Sequence, residues 1–296
     1  MTDQALPMPA RQSSFGRMVR SFTLLRESRI GMVGLGIVLF WLVLAVIAPL
    51  LPLADPLKQS SSILLAKPLT TGPDGAFHWL GTDDIGRDLL SRLIWGAQRV
   101  FIWAGLATLS AYLTGMLMGV AAGYLGGRWD DFLSFIGNLI MSFPLIVLYL
   151  IIIGRFGATP LNIIVAVTLA TGPQVMRIVR GLVLDLKTRD YIAAAQVRGE
   201  HPIYIMLVEL LPNARGPLIV DACLRMGYVT ITIALLGYLG LGLPPPDPDW
   251  GSMINAAQKF GSFGANAMLW PAIAVSTMVL GLNMLADGLR EISLRD

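Results

Sequence analysis

The sequence is poor in the residues on which covalent cross-linking and catalysis depend. Its single cysteine, Cys223, excludes an internal disulfide framework. Its two histidines, His78 and His201, fall on opposite sides of a membrane in the topology argued below, so we expect solvated loop side chains and no metal site. None of its four lysines follows a glycine, so the Gly-Lys pair of a phosphate-binding loop is absent. These absences argue against an enzyme and against ATP hydrolysis by this chain.

Charge is also scarce. Only 14% of the 296 residues are charged, whereas about a quarter is usual for a soluble domain. Apolar residues make up 55% of the chain, and the net charge of +3 is small. The sequence therefore predicts an integral membrane protein with one membrane domain.

Six apolar runs are long enough to cross a bilayer, which takes about 20 helical residues. None alternates in the manner of barrel strands, so the expected fold is all-α with six transmembrane helices. The runs cover residues 30–54, 100–127, 132–154, 156–176, 216–243 and 260–286.

Basic residues give the orientation, because they are enriched in cytoplasmic loops. They concentrate in the leading tail and in the loop after the fourth run, although the segment 55–99 also carries five of them. Both termini are therefore predicted to be cytoplasmic. The expected organisation is a basic cytoplasmic tail (1–29), a first transmembrane helix (30–54), an external segment (55–99) and a five-helix core (100–296) with a cytoplasmic loop at 188–212.

The stretch 190–212 predicts two short helices joined by an elbow. Gly199 can end the first helix in the left-handed conformation, and Pro202 suits the first turn of the second. Residues 203–211 are apolar enough to lie along the membrane surface, and Pro212 marks a bend into the fifth crossing. Ala194 and Ala195 would leave a smooth face for another protein. An ordinary amphipathic connector is the alternative interpretation.

This stretch resembles the "EAA" loop of ABC importer permeases, which touches the ATPase. The pattern places Ala194–Ala195, Gly199 and Leu211–Pro212 at the expected spacing, but Ala193 replaces the motif's glutamate and Glu209 its isoleucine. Asp190 or Glu200 could compensate for the missing carboxylate. The resemblance implies the following ATPase-coupling residues: Ala193, Ala194, Ala195, Gly199, Glu200, Leu211 and Pro212.

A second motif lies before the second run. It resembles the H-x-LGTD-x-x-GRD-x-x-SR signature of the C-type permease subunits of dipeptide, oligopeptide and nickel ABC importers. The same subunits share segments like Ala48-Pro49-Leu50, Asp249-Trp250-Gly251 and the end of the sixth run, so the similarity covers roughly residues 25–296. The signature residues are Gly81, Thr82, Asp83, Gly86, Arg87 and Asp88.

The resemblance implies a type I ABC importer permease in the bacterial inner membrane. Such a chain would pair with a homologous permease, two ATPase subunits and an external binding protein, and would bind no nucleic acid. It would carry no cofactor, because ATP and Mg²⁺ belong to the ATPases. Which solute it moves, whether dipeptide, oligopeptide, nickel chelate, glutathione or sugar, stays open. The alternative is an ion-gradient-driven secondary transporter with Asp221 as a weak candidate ion site.

Two ionisable groups fall within an apolar run. Asp221 and Arg225 are four residues apart, the spacing of neighbours on one helix face. Ionisable groups at membrane depth are costly, so they are usually paired or face water. Both an ion pair against neighbouring helices and a role in the translocation path remain open.

Two other motifs also have alternative interpretations. Residues 81–92 could form a plain helix capped by Thr82 or Asp83, with Asp88 and Arg92 as a surface pair, or could act in gating or docking. The proline-rich loop after the fifth run should be rigid. Where the family docks its binding protein, Asp247, Asp249 and Trp250 are contact candidates, although a simple turn would need no such role.

Overall fold

The computed structural model describes residue 26 and residues 28–73, 75–244 and 246–293, with Ser293 described for its backbone alone. The predicted basic tail lies almost entirely outside the described residues. The described chain is mainly helical. One hairpin, whose two strands have two residues each, lies in the segment before the second long helix.

The first helix, α1, spans Arg29–Ile47 and continues into a 3-10 turn at Ala48–Leu50. Its N-cap is Ser28, whose hydroxyl accepts a hydrogen bond from the Gly31 amide at 3.2 Å. This helix confirms the first predicted run. The helical stretch, including the 3-10 turn, ends at Leu50 rather than at residue 54.

The segment that follows contains strands β1 (Thr70–Thr71) and β2 (Phe77–His78), which pair antiparallel. Helix α2 then spans Leu89–Leu125. It begins well before the second predicted run, so the predicted boundary between the external segment and the core, at residues 99 and 100, falls inside a helix.

The third predicted run is not one helix. Helix α3 spans Gly127–Met141 and helix α4 spans Leu145–Phe156, and the two are bent by 85° at the residues between them. Pro144 stands immediately before α4, where it has no amide to donate to the preceding turn. The run predicted over 132–154 is therefore a bent pair of helices rather than one straight helix.

The remaining helices complete the bundle. They are α5 (Pro160–Leu186), α6 (Asp190–Val197), α7 (Pro202–Tyr238), α8 (Trp250–Gln258) and α9 (Ala265–Ser293), with a 3-10 turn at Gly261–Gly264 before α9. Five helices of the described residues are long and apolar enough to cross a membrane, and the bent pair makes a sixth if counted as one span. The all-α, multi-span fold is thus confirmed. Helix α8 was not predicted, because its residues lie between the fifth and sixth apolar runs.

Helices α2 and α5 pack most closely. Gly115, Gly119 and Gly123 of α2 face Val175, Val179 and Val183 of α5, all at four-residue spacing. A Cβ atom at Gly119 would lie 2.6 Å from the Met176 carbonyl oxygen and 2.7 Å from the Val179 Cβ. Small residues allow backbones to approach this closely, as is typical of membrane helix pairs.

Candidate functional site

Only one face of helix α6 packs against the protein's own core. Ile192 and Ala195 are fully buried and pack with residues of α5 and of the start of α7, including Val183 and Ile205. Ala193 and Ala194 are exposed, and Val197 is 89% exposed. The predicted smooth face of Ala194 and Ala195 was therefore half wrong, since Ala195 faces inward.

The turn after α6 is fixed by backbone hydrogen bonds. Gly199 has a φ of 75°, as predicted for a residue ending the helix in the left-handed region. Its amide donates to the Gln196 carbonyl at 3.0 Å, and the Glu200 amide donates to the Ala195 carbonyl at 3.2 Å. This pair of bonds is the Schellman motif, which satisfies the last carbonyls of a helix.

The second half of the loop differs from the prediction. Pro202 does begin a helix, as expected, but this helix continues as α7 with a π-helical segment at Ile205–Leu210. Leu211 and Pro212 lie within α7, so the predicted separate surface helix is not present among the described residues. An inserted residue can widen a turn into a π-bulge without ending the helix, and such bulges are frequent at functional sites.

Two of the three acidic residues that the motif comparison singled out lie near one arginine. The Arg198 guanidinium is 3.5 Å from the Glu200 carboxylate and 3.6 Å from the Glu209 carboxylate. Arg198 is more than half exposed, so these pairs contribute little stability. They do place Glu200 and Glu209 on the same side of the elbow.

The signature residues form a compact, mostly buried unit rather than a capped surface helix. The Asp83 carboxylate accepts from the Arg87 side chain at 2.6 Å and from the Arg87 amide at 2.9 Å, and Arg92 lies 3.4 Å away. Asp83 therefore pairs with Arg92 in place of the predicted Asp88. Thr82 is buried and bonds the backbone of Ile63 and Ala66.

The true N-cap of α2 is Asp88, so the predicted caps Thr82 and Asp83 were wrong. One Asp88 oxygen accepts from the Ser91 amide at 2.7 Å, and the other is 2.8 Å from His78 Nδ1. His78 is buried, which contradicts the expected solvated side chain. Gly81 and Gly86 both have positive φ, and a Cβ at Gly86 would lie 1.9 Å from the Ser60 carbonyl oxygen.

The proline-rich loop presents only one of the three predicted docking residues. Asp247 is half-buried and bonds Arg99 at 2.7 Å. Trp250 is fully buried, donates its indole N–H to the Leu93 carbonyl at 3.0 Å and stacks edge-on against Trp41. Asp249 is buried as the N-cap of α8. Neither Asp249 nor Trp250 therefore exposes a side chain for contact with a docked protein in this structure.

Asp249 has a marked pH response. Burial raises the pKa of its carboxyl to about 6, although hydrogen bonds from the Ser252 and Gly251 amides oppose that shift. The unfolded carboxyl titrates near about 3.9. The folded state therefore binds the proton more tightly, and this contribution to stability is complete below about pH 4 and lost as the pH rises through about 6.

We expect Asp249→Asn to remove this dependence while keeping a helix-capping side chain. The melting temperature of the variant in mild detergent should rise relative to that of the wild type between pH 4 and 6.5, because only the wild type must ionise a buried group. The expected gain in the free energy of unfolding is on the order of 2–3 kcal/mol. Asp131→Asn, at an exposed position, is the matched control. An equal pH dependence in wild type and Asp249→Asn would contradict the assignment.

Asp221 and Arg225 meet within the helical bundle. Arg225 Nε donates to Asp221 Oδ2 at 2.9 Å, and Arg225 Nη1 donates to Gln174 Oε1 at 2.9 Å. The Tyr112 hydroxyl donates to the same Asp221 oxygen. The two residues suggested by the spacing do form an ion pair, which connects α2, α5 and α7, and a role in the translocation path stays a prediction.

Sequence reasoning missed several of these partners. His78 is ten residues away from Asp88 in the sequence, and no sequence pattern connects Tyr112 or Gln174 with the ion pair. Only tertiary packing brings these groups together. The glycine stripe of α2 did have a signal, since glycine every fourth residue in an apolar run is typical of a close helix contact.

Comparison with known proteins agrees with this architecture. Residues 115–296 match the family model described as the binding-protein-dependent transport system inner membrane component. The chain belongs to this family. It is an ABC importer permease, a multi-pass protein of the bacterial inner membrane, as the signature motifs predicted. The ion-gradient alternative finds no support among the relatives.

Several curated permeases are similar over most of their length. The dipeptide transport system permease protein DppC of Alkalihalophilus pseudofirmus is 34% identical, with 92% of this chain and 87% of the relative covered. The glutathione transport system permease protein GsiD of Pectobacterium atrosepticum is 36% identical over 75% and 74% of the two chains. The oligopeptide transport system permease protein OppC of Bacillus subtilis is 31% identical over 90% and 85%.

A solved structure shares the permease fold. One chain of the MetNI methionine ABC transporter, in an inward-facing conformation, matches with a TM-score of 0.57 and 20% identity. The match covers 70% of this permease and 97% of the MetNI chain.

Proposed function

We propose that this permease imports peptides or similar small solutes delivered by an external binding protein, using ATP hydrolysed on partner subunits. Its relatives are described as dipeptide, oligopeptide and glutathione permeases, which supports a peptide-like solute. The observation that carries the coupling role is the exposed face of α6, which a rigid turn holds against the bundle.

The complete importer would contain a homologous permease as heterodimer partner, two ATPase subunits and the binding protein. ATP and Mg²⁺ would bind only to the ATPases, so this chain needs no cofactor. The basic residues of the leading tail and of the 177–215 region favour a cytoplasmic location for both termini and for α6. Free energy would enter through the partners alone.

Coupling would pass through α6 into α7. Ala193, Ala194 and Val197 form a low apolar surface on which an ATPase groove could close. The opposite face is buried against the ends of α5 and α7, so a push on α6 is transmitted to those spanning helices. The departure at Ala193 removes the motif's carboxylate, and Glu200 beside Arg198 is the nearest substitute in the turn.

On the opposite side, Asp247 is the remaining candidate for contact with the binding protein. It borders a cavity of about 250 Å³ whose wall also includes Asp84 and Arg87. The arrangement places charges of both signs around one recess, which suits a polar and reversible contact.

The test places a large side chain on the exposed face of α6. In the purified complete complex, Ala194→Trp should reduce ATPase co-purification, or ATPase activity stimulated by the binding protein, at least tenfold. The added indole prevents close approach but enters no packed region, because Ala194 is exposed. The second permease should remain bound.

Ala265→Trp is the matched control, since Ala265 is also exposed but begins α9, far from the loop along the chain. It should leave ATPase binding and stimulated activity within twofold of the wild type. Full coupling in Ala194→Trp, or an equal loss in both variants, would contradict a docking role for α6.

A further inference from the structure

One face of α7 is polar over several turns. Asp221, Arg225, Tyr228 and Thr232 follow one another at four-, three- and four-residue spacing, so they form a single stripe about 16 Å long. We call these four residues the polar stripe. On α5, Thr171 and Gln174 stand one turn apart and line the same cavity as the stripe.

The polar stripe lies deep between the helix ends. Gln174, which bonds Arg225, is about 18–21 Å along the axis from either end of α5. Charged groups at this depth almost always face the interior of a bundle or a water-filled cavity, because hydrocarbon cannot solvate them.

A cavity adjoins the stripe. It has a volume of about 380 Å³ and lies between α4, α5 and α7, with all four stripe residues in its wall. Tyr228 is 63% exposed, so its ring stands at the opening rather than within the packed core. The volume is in the range of small-molecule sites.

The ion pair keeps unused hydrogen-bonding capacity. Arg225 uses Nε and Nη1, and the bonds to Asp221 both end on Oδ2. Among the described residues, these hydrogen bonds thus involve one of the two Asp221 oxygens and two of the three Arg225 nitrogens. A guanidinium nitrogen can donate to a carboxylate, and a carboxylate oxygen can accept from an ammonium group.

We infer that the polar stripe lines the solute path and that Arg225 and Asp221 bind the carboxylate and the ammonium groups of zwitterionic solutes such as short peptides. This inference rests on the proposed import function. Because the pair is neutral as a whole, it favours solutes carrying both charges over solutes of one sign. Thr171, Gln174 and Thr232 add hydrogen-bonding groups suited to a peptide amide.

Water accessibility of the stripe provides the first test. With Cys223→Ala as background, Tyr228→Cys and Thr232→Cys in the complete complex are treated with a negatively charged methanethiosulfonate reagent. Both should react at least tenfold faster than Ile219→Cys, which is 53% exposed on another face of α7. A non-hydrolysable ATP analogue should change the two rates, because access alternates between the two sides of the membrane. Rates equal to that of Ile219→Cys would mean that lipid or the second permease covers the stripe, and would overturn the inference.

Uptake of an equimolar dipeptide mixture into vesicles, read by mass spectrometry, provides the second test. Arg225→Gln and the double variant Asp221→Asn/Arg225→Gln should lower uptake at least tenfold while ATPase stimulation by the binding protein stays within twofold. The double variant leaves no unpaired buried charge, so it separates solute contact from misfolding. Arg128→Gln, at an exposed position, is the control for loss of a positive charge and should leave uptake unchanged.

The outcomes separate this inference from the proposed function. A wild-type complex whose ATPase responds to the binding protein but which imports no dipeptide would overturn the zwitterion assignment and leave the importer role intact. Normal uptake in the double variant would overturn the contact between solute and ion pair. Absence of any ATPase partner would instead overturn the proposed function itself.

Discussion

Replacing Gly119 by valine should prevent α2 and α5 from packing together and abolish recovery of the folded permease. A Cβ at this position would lie 2.6 Å from the Met176 carbonyl oxygen, which belongs to the α5 backbone and cannot move aside alone. The helices would have to separate along the whole stripe of Gly115, Gly119 and Gly123. Overpacking of a core usually costs about 1–3 kcal/mol and more where backbone must shift.

Gly105→Val is the matched control because Gly105 is in the same helix with nothing within 4 Å of a built Cβ. We expect this variant to be recovered in wild-type amounts, measured as the monodisperse peak of the detergent-solubilised complex in size-exclusion chromatography. Recovery of Gly119→Val at the level of Gly105→Val would show that the two helices are not held at the distance described.

Truncating Trp250 to alanine should produce the second large effect, a loss of about 3–5 kcal/mol of stability. The indole is fully buried, bonds the Leu93 carbonyl and packs edge-on against Trp41, with ring centroids 5.1 Å apart. Its removal leaves a cavity where α1, α2 and α8 meet and takes the indole N–H donor away from the Leu93 carbonyl. The melting temperature of the purified complex should fall by several degrees.

Trp129→Ala provides the comparison, since Trp129 is 60% exposed and its loss creates no internal cavity. That variant should melt within about two degrees of the wild type, because surface substitutions are usually worth less than ~0.5 kcal/mol. Equal melting temperatures for Trp250→Ala and Trp129→Ala would show that the Trp250 side chain does not stabilise the contact between α1, α2 and α8.

The spanning helices were predictable because lipid imposes a minimum apolar length on each crossing. Their ends were less predictable. Helix α2 begins at Leu89, but Ser91, Arg92 and Gln98 make its first turns polar, so hydropathy placed the start near residue 100. Before α4, Pro144 indicates a kink, but an apolar run does not give the size of the bend, which is 85°.

The loop at 188–212 shows which structural features can be predicted from the local sequence and which cannot. Gly199 and Pro202 were assigned correctly because each has a backbone requirement that does not depend on neighbours. Which face of α6 is buried depends on Val183 and Ile205 from other helices, so Ala195 was placed on the wrong side. Trp250 was misassigned for the same reason, since its partners come from α1 and α2.

The close contact between α2 and α5 has a mechanical consequence. At three successive turns, glycines of α2 leave space for valine side chains of α5. Sliding or rotation of either helix would therefore drive side chains into backbone atoms. The two helices must therefore travel as one rigid body when the permease changes conformation. Deformation would then occur at joints outside that body, and the 85° corner between α3 and α4 and the widened turn at Ile205–Leu210 are two such joints.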